Sequence, residues 1–408
     1  MKKLLLIALA LFPALAMAQG FQVNLHGEKQ VGMGDTGTGL LQDGAYVLFN
    51  PGAVAMLPQN YIQGSINPLF FKSAFQSTGS NQTYNNSNQV ATPFTAYAVW
   101  GPKSAPWKIG LGVYTPFGGL TNWGNNWPGK YSLESLNLKA IYFQPTLSVK
   151  LTDYISVGAG FVYNYGSVDL TQALPVANSA GQDGQAELKG NGHGLGWNAG
   201  VYIKTESGIT FGITHRSEVT TKISGGDALF TNIAPSVKAN FPDGDQFSSQ
   251  IPLPSTTSFG MGIYPTDKWT IAFDLEGVQW DVYKSLDFNY TQPVGGASTT
   301  SLARNYKDAF DVRTGAEYKA TKMVALRFGG GFATTAVQDG YVTPEAPDAN
   351  RVYGTLGLGY KVGNHLDLDL AFEYEHVMSR TQTEIQTQLS GTFVTNVYIP
   401  GISLAYHW

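Results

Sequence analysis

The sequence has no cysteine and few charges, and both shortages restrict what the chain can be. Without cysteine, disulfide bonds, thiolate metal sites, a catalytic cysteine and a lipid-modified N-terminal cysteine are excluded. Charged residues make up 13% of the 408 residues, about half the ~25% of an ordinary soluble domain. The formal charge is -4 and no basic block occurs, so no nucleic-acid partner is expected. Repeated apolar runs of ~20 residues, which a helical membrane protein needs, are also missing.

The N-terminus has the pattern of an export signal. Lys2 and Lys3 precede an apolar stretch over 4–15, and Ala16-Met17-Ala18 supplies the small residues that signal peptidase reads. The apolar stretch is too short for a membrane anchor. We therefore predict a signal peptide over residues 1–18, a mature start at Gln19, and a location in the envelope of a Gram-negative bacterium.

The mature chain alternates apolar and polar residues with period two, which is typical of β-strands. In the clearest segment, Leu366, Leu368 and Leu370 share one face while Asp367 and Asp369 share the other. A soluble sandwich would bury the leucines and expose the aspartates to water. A transmembrane barrel would do the opposite, with leucines toward lipid and aspartates toward the lumen.

The lengths of the connections favour the barrel. Short turns alternate with long loops at 167–194, 223–253 and 283–307, as in outer-membrane barrels with tight periplasmic turns and long external loops. We predict an all-β fold, an antiparallel transmembrane β-barrel of fourteen strands, near 60–72, 91–101, 106–117, 137–150, 155–166, 195–205, 208–222, 254–265, 268–282, 308–319, 322–336, 351–362, 365–377 and 397–408.

The end of the chain and the tryptophans agree with this fold. Ile402 to Trp408 alternates and ends in an aromatic residue, like the terminal strand that the outer-membrane assembly machinery recognises. Several tryptophans fall at strand ends or loop bases, where an interfacial aromatic girdle is expected. They are Trp100, Trp107, Trp123, Trp127, Trp269 and Trp280.

Residues 19–57 do not fit the strand pattern, and we interpret them as a plug, or hatch, inside a barrel formed by 58–408. Glycine allows the tight backbone packing that a filled lumen requires. Asn50, Pro51 and Gly52 predict a sharp turn where hatch and barrel meet, and are the candidate gate. Lumen-facing charges on neighbouring strands are interpreted as a network that holds the hatch. They are Asp274, Glu276, Arg313, Glu317, Arg327, Arg351, Asp367 and Asp369.

At this point the sequence resembles the outer-membrane long-chain fatty-acid and hydrophobic-compound transporters of the FadL/TodX type, over essentially the whole mature chain. The resemblance is carried by Gly20-Phe21-Gln22, Asp43-Gly44-Ala45, Leu48-Phe49-Asn50-Pro51, Tyr114 to Gly118, Gly194 to Ala199, Leu253 to Thr256, Gln279-Trp280-Asp281, Lys307 to Phe310 and Pro347 to Arg351. It implies passive uptake of fatty acids or aromatic hydrocarbons by a plugged barrel. The expected partners are the hydrophobic solute, outer-membrane lipid and lipopolysaccharide, and we expect a monomer.

The resemblance also implies a route: capture by external loops, a pocket bounded by the hatch, and sideways exit at a kinked third strand. In this sequence the third strand is 109–117, and Gly110, Gly112 and Pro116 would weaken its hydrogen-bond ladder. The candidate pocket aromatic is Phe21. Candidate capture residues are Leu120, Trp123, Trp127, Leu133, Leu229, Phe230 and Ile233.

A carboxylate head group would need a buried cation, and Arg304 or Lys307 lies nearest the family's basic position. A second basic position of the family has no counterpart in 163–169. The sequence therefore also allows neutral aromatics or alkanes as solutes.

No residue pattern indicates catalysis, a cofactor or a metal site. The six histidines are scattered, and neither an H-E-x-x-H nor a G-x-S-x-G motif occurs. Two alternatives to hydrophobic uptake remain: a general porin, which predicts an open lumen, and a surface adhesin or receptor, which predicts no continuous apolar path from the loops to strand three.

Overall fold

The computed structural model describes residues 20–408, so the predicted signal peptide and the start at Gln19 lie outside the described residues. Its strand segments, labelled β1 to β21 in chain order, are Tyr61–Ile66, Leu69–Ser77, Thr83–Asn85, Val90–Ala91, Phe94–Trp100, Trp107–Asn122, Ser135–Lys150, Ile155–Leu174, Gly184–Lys204, Thr210–Arg216, Val219–Thr231, Asp245–Leu253, Thr256–Thr266, Trp269–Val278, Ser285–Val294, Ala297–Ala303, Ala309–Lys319, Val324–Ala333, Arg351–Val362, Leu366–Thr383 and Ser390–His407.

Within residues 20–408 these segments form a closed antiparallel barrel of fourteen strands, which confirms the predicted fold. Six of the fourteen are interrupted and count as two or three segments each, for example β1 with β2. The barrel closes where β1 pairs with β21, with Tyr61 opposite His407 and Ile66 opposite Ile402. In residues 20–408 no helix is both long and apolar enough to pass through a bilayer.

The leucines face outward and the carboxylates inward, as the barrel interpretation predicts. On β19 and β20, Leu356 is 63% exposed and Leu370 is 40% exposed, whereas Asp369 is 1% exposed. On β17, Phe310 is exposed and its neighbour Asp311 is fully buried. In lipid, this arrangement places the apolar side chains against the acyl chains and the ionic ones in the lumen.

The long loops predicted from the sequence are mostly strand. β8 continues to Leu174 and β9 begins at Gly184. Of the predicted loop 167–194, only the nine residues 175–183 therefore lie outside strands. The predicted loop 223–253 contains the end of β11 and all of β12, and the predicted loop 283–307 contains the hairpin of β15 and β16. In these extensions the faces are reversed, because apolar residues such as Val168, Leu170 and Leu188 are buried on the inward face and polar ones lie outward.

The hatch, residues 20–57, lies inside the barrel and is almost entirely buried. It contains two short helices, α1 (Glu28–Val31) and α2 (Tyr46–Phe49), followed by a 3₁₀ helix, Pro51–Met56. Two further 3₁₀ turns, Lys238–Asn240 and Trp280–Val282, lie outside the hatch.

Charged groups of the wall hold the hatch, as the sequence predicts. The Asp274 carboxylate accepts hydrogen bonds from the main-chain nitrogens of Gly37 and Thr38, at 2.9 and 2.8 Å. Lys29 of the hatch forms an ion pair with Asp367 at 2.8 Å. Such charge-assisted bonds are about twice as strong as neutral ones, so they fix the depth of the hatch.

Glycines in the wall let the hatch backbone approach closely. A methyl group at Gly212 of β10 would lie 1.8 Å from the Thr38 carbonyl oxygen, and one at Gly315 would lie 1.9 Å from that of Met33. Only a residue without a side chain fits at these contacts. Part of the glycine content therefore reflects the packing of one backbone on another.

Three of the tryptophans assigned to an interfacial girdle lie in the interior instead. Trp100 is exposed on the outer face, as expected, but Trp123, Trp127 and Trp280 are buried. Trp280 packs on Phe21 of the hatch, with ring centroids 4.7 Å apart. Sequence position near a strand end does not distinguish a girdle residue from one that folds inward.

Candidate functional site

The wall of the barrel has a gap beside the third strand. The ladder between β5 and β6 stops at the pair Thr95 and Tyr114. Beyond this point, the Ser87 nitrogen, between β3 and β4, donates to the Asn122 oxygen at the end of β6, at 2.7 Å. We call the interval between 88–94 and 115–121 the wall gap.

The first residues of the hatch take the place of the missing neighbour strand. Gln22 pairs with Phe117 of β6 in an antiparallel bridge. The Val23 nitrogen donates to the Pro116 oxygen at 2.9 Å, and the Gly118 nitrogen donates to the Phe21 oxygen at 3.1 Å. The hatch therefore satisfies, on the inside, backbone groups of β6 that the wall leaves free.

The kink itself lies at Pro116. On β6, the register toward β7 shifts between Tyr114 and Phe117, so the ladder is interrupted around Pro116. Gly110 and Gly112 stay paired on both sides, which differs from the prediction that they weaken the ladder. Their role is packing, because a methyl group at Gly110 would lie 2.5 Å from a methyl carbon of Val47 in the hatch.

A cavity of about 500 Å³ opens at the wall gap. Its lining includes hatch residues 20–25, residues 89–94, and Thr115 and 117–120 of β6. It also includes Phe94 and Ile141, whose side chains lie on the outward face of their strands. The cavity thus extends from beside the hatch to the surface that meets lipid.

Part of the cavity wall is apolar and part is acidic. Leu25, Val397 and Ile399 form a buried apolar cluster, with Leu69 and Phe71 packed against it. The other part carries Asp35, Glu345, Asp348, Glu373 and Glu375. A solute in this cavity would meet both an apolar surface and carboxyl groups.

Phe21 and Leu120 line this cavity, as their assignment to binding requires. Phe21 also belongs to an aromatic cluster, with its ring centroid 4.7 Å from that of Trp280 and 5.6 Å from that of Tyr283. This cluster holds Phe21 at the inner end of the wall gap.

The other capture candidates do not reach the cavity. Trp123 and Trp127 stack on each other at 4.7 Å, and Leu133 is fully buried beside them. Their indole nitrogens donate to the carbonyl oxygens of Pro344 and Leu133, respectively. The sequence suggested exposed aromatics on a loop, but Trp123 packs against Phe393 and Trp127 against Phe75, so both are buried under distant parts of the chain.

The candidates on β11 and beyond are also distant from the cavity lining. Leu229 is exposed, whereas Phe230 is buried against Phe241 and Tyr290. Ile233 packs at the edge of the same apolar core. These residues stabilise the extended β11–β12 hairpin, and a role in capture remains a prediction.

Neither predicted cation contacts the cavity. Arg304 is buried and binds Glu345 through both carboxylate oxygens, at 2.6 and 2.7 Å. Lys307 is half-buried, and its main-chain nitrogen donates to Ala336. Arg351, which was interpreted as part of the network, lines the cavity instead, where it binds Glu375 and Asp348.

The gate candidates form a tight junction with the wall. The Asn50 amide nitrogen donates to the carbonyl oxygens of Thr38 and Val201, at 2.9 and 3.1 Å. The Gly52 oxygen accepts hydrogen bonds from the Ser148 and Ser156 hydroxyls. This end of the hatch is therefore anchored, whereas its first residues, at the wall gap, border open space.

The sequence reasoning missed several residues of the cavity, above all Val397 and Ile399. Both lie on the inward face of β21, whose outward face is apolar as well. An apolar residue on both faces departs from the alternation of the other strands, and this excess was the available signal. The acidic lining left no such signal, because lumen-facing acids are common throughout the chain.

Fold and site together define a plugged transmembrane barrel with a cavity that opens through its side. Residues 9–408 match the model of a family described as outer membrane protein transport protein (OMPP1/FadL/TodX), and the chain belongs to this family of Gram-negative outer-membrane proteins.

Individual relatives agree with this assignment. The chain is 23% identical to a long-chain fatty acid transport protein of Escherichia coli O6:H1, covering 92% of this chain and 91% of that protein. Two solved structures share the fold. A FadL homologue of Pseudomonas aeruginosa has a TM-score of 0.84 at 18% identity, covering 95% of this chain and 99% of the other. The toluene transporter TodX of P. putida has a TM-score of 0.69 at 15% identity, covering 96% and 98%.

Proposed function

We propose that this protein carries hydrophobic molecules passively across the outer membrane, from external loops through the cavity and out sideways into the bilayer at the wall gap. The observation that carries the proposal is the cavity at the interrupted β5–β6 ladder, lined by hatch residues on one side and by outward-facing Phe94 and Ile141 on the other. A hydrophobic solute on this route leaves the protein into lipid and avoids the aqueous lumen.

The names of the relatives support the class of cargo. Long-chain fatty acids and toluene are the solutes named for two of them. Both are molecules that an aqueous pore would not favour. We propose a monomer as the working unit and outer-membrane lipid as the receiving phase.

The two alternatives have less support. A general porin needs an open aqueous lumen, whereas hatch residues 26–39 are buried without exception. An adhesin has no use for an apolar cavity that reaches the lipid-facing surface. We propose transport without catalysis, in line with the family of transport proteins to which the chain belongs.

A reversible disulfide at the wall gap tests the route. Gln22 and Phe117 are direct partners in an antiparallel bridge, and such partners have α-carbons about 4.5–5.5 Å apart, within the range that a disulfide spans. Because the chain has no cysteine, a Gln22→Cys/Phe117→Cys variant would form one defined bond. We expect oxidation to abolish uptake of radiolabelled toluene and oleate by cells, and reduction to restore it.

The matched control is Ser65→Cys/Ser403→Cys, which links direct partners of β1 and β21 in the closed part of the wall. Oxidation of this variant should leave uptake unchanged. Equal uptake by the oxidised and reduced forms of the Gln22 and Phe117 variant would contradict a sideways exit. Rapid swelling of reconstituted liposomes in sugars would support the porin instead.

A further inference from the structure

Three of the five carboxyl groups that line the cavity have a cationic partner. Arg351 binds Glu375 at 3.1 Å and Asp348 at 2.8 Å. Arg304 binds Glu345 at 2.6 Å. Their charges are neutralised inside the protein, so they offer little to a solute.

Asp35 of the hatch and Glu373 of β20 are different. Their carboxyl groups contact each other, and the side chains are 1% and 4% exposed. The two carboxyl groups are hydrogen-bonded to each other, and Asp35 Oδ1 and Glu373 Oε2 have no other hydrogen-bond partner in the described part of the chain. The nearby guanidinium of Arg313 is occupied by Glu276 and Asp311.

The cavity offers these two acids no other cation. Among residues 20–408, two cationic side chains line the cavity. Arg351 is already paired with Glu375, and Lys139 points outward. Burial raises the pKa of Asp35 to about 7, against the opposing charge of Arg313. The two carboxyl groups can therefore share one proton near neutral pH while both keep acceptor oxygens.

An apolar surface lies directly beside the pair. On β21, Ile399 is the cross-strand partner of Glu373, and Val397 is the next inward-facing residue. Both line the same cavity. The site thus combines a buried pair of carboxyl groups, in which acceptor oxygens outnumber donors, with an aliphatic wall, which suits a molecule with one polar end and an apolar body.

We propose that Asp35 and Glu373 bind the polar end of an amphiphilic cargo, and that this end is an uncharged hydrogen-bond donor, such as the hydroxyl group of an alkylphenol or a long-chain alcohol. With one shared proton the pair still has more acceptor oxygens than donors, and a hydroxyl group supplies the missing donor. A carboxylate would add a further negative charge where no unpaired cation is available. The inference rests on the proposed function and names the solute class for the same cavity.

Three probes of similar size test this selectivity: 4-octylphenol, 4-octylbenzoate and octylbenzene. Binding to the purified full chain in detergent, followed by the change in tryptophan fluorescence, should be at least about tenfold tighter for the phenol than for the benzoate. In the Glu373→Gln variant this ratio should fall about tenfold, because one acceptor becomes a donor. Octylbenzene binding should not change, which also reports that the variant is folded.

Transport assays on cells separate this inference from the proposed function. If the purified protein prefers the phenol but cells take up none of the three probes, the transport route is wrong and the head-group preference stands. If the wild type binds 4-octylbenzoate as tightly as 4-octylphenol, or if Glu373→Gln leaves the ratio unchanged, the assignment of Asp35 and Glu373 is overturned.

Discussion

The close contact between Gly212 and Thr38 gives the sharpest test of how the hatch is held. In Gly212→Ala the new methyl carbon would start 1.8 Å from the Thr38 carbonyl oxygen. Gly212 is paired on both sides, with Gly260 and Tyr202, so the wall cannot easily yield. The hatch backbone must retreat by about 1.5 Å to restore an ordinary van der Waals separation.

That retreat breaks the bonds that fix this part of the hatch. Asp274 accepts from the nitrogens of Gly37 and Thr38 at 2.9 and 2.8 Å, and a displacement of about 1.5 Å takes both beyond hydrogen-bonding distance. Each hydrogen bond to a charged group contributes about 1.5–3 kcal/mol. We therefore expect the free energy of local hatch opening to fall by about 3–6 kcal/mol.

Amide hydrogen exchange measured by mass spectrometry is the assay. Peptides from residues 33–50 should exchange at least about 100-fold faster in Gly212→Ala, since 1.4 kcal/mol corresponds to about a factor of ten. The control is Gly354→Ala on β19, where an added methyl group meets nothing within 4 Å. If the hatch amides exchange at the same rate in both variants, the glycines of the wall do not set the position of the hatch.

Two further predictions concern charges in the hatch. Burial raises the pKa of Glu28 from 4.5 to about 8. Between these pH values the folded chain therefore binds one more proton than the unfolded chain. The stability of the hatch should fall as pH rises from 4.5 to 8, by about 5 kcal/mol in total. Glu28→Gln should flatten this pH dependence in hydrogen exchange of residues 28–31, and an unchanged slope would contradict the assignment. Lys29→Met leaves Asp367 without its partner at 2.8 Å and should destabilise the hatch by about 3–5 kcal/mol, measured by urea-dependent exchange; stability equal to wild type would mean that the pair is dispensable.

Much of the architecture could be predicted because the deciding signal is local. Period-two alternation depends on neighbouring residues, so strands such as 365–377 were recognisable without any knowledge of their partners. The inversion of apolar and charged faces followed from the loop lengths. The strand extensions over 167–174 and 184–194 were missed, because they are rich in Gly, Ser, Asn and Asp and their apolar residues, such as Val168 and Leu188, face inward and not toward lipid.

The sequence alone determined that this chain forms a barrel with its carboxylates inward and a plug before the first strand, because period-two patterning and connection length are written in consecutive residues. Only the tertiary structure decided where the cavity lies. Asp35, Glu373 and Ile399 are far apart in the chain and meet because the hatch folds back against β20 and β21. The same applies to Trp123, which is buried because residues far along the chain, including Pro344, cover it. Such contacts depend on closure of the barrel around the hatch, and no local pattern encodes that closure.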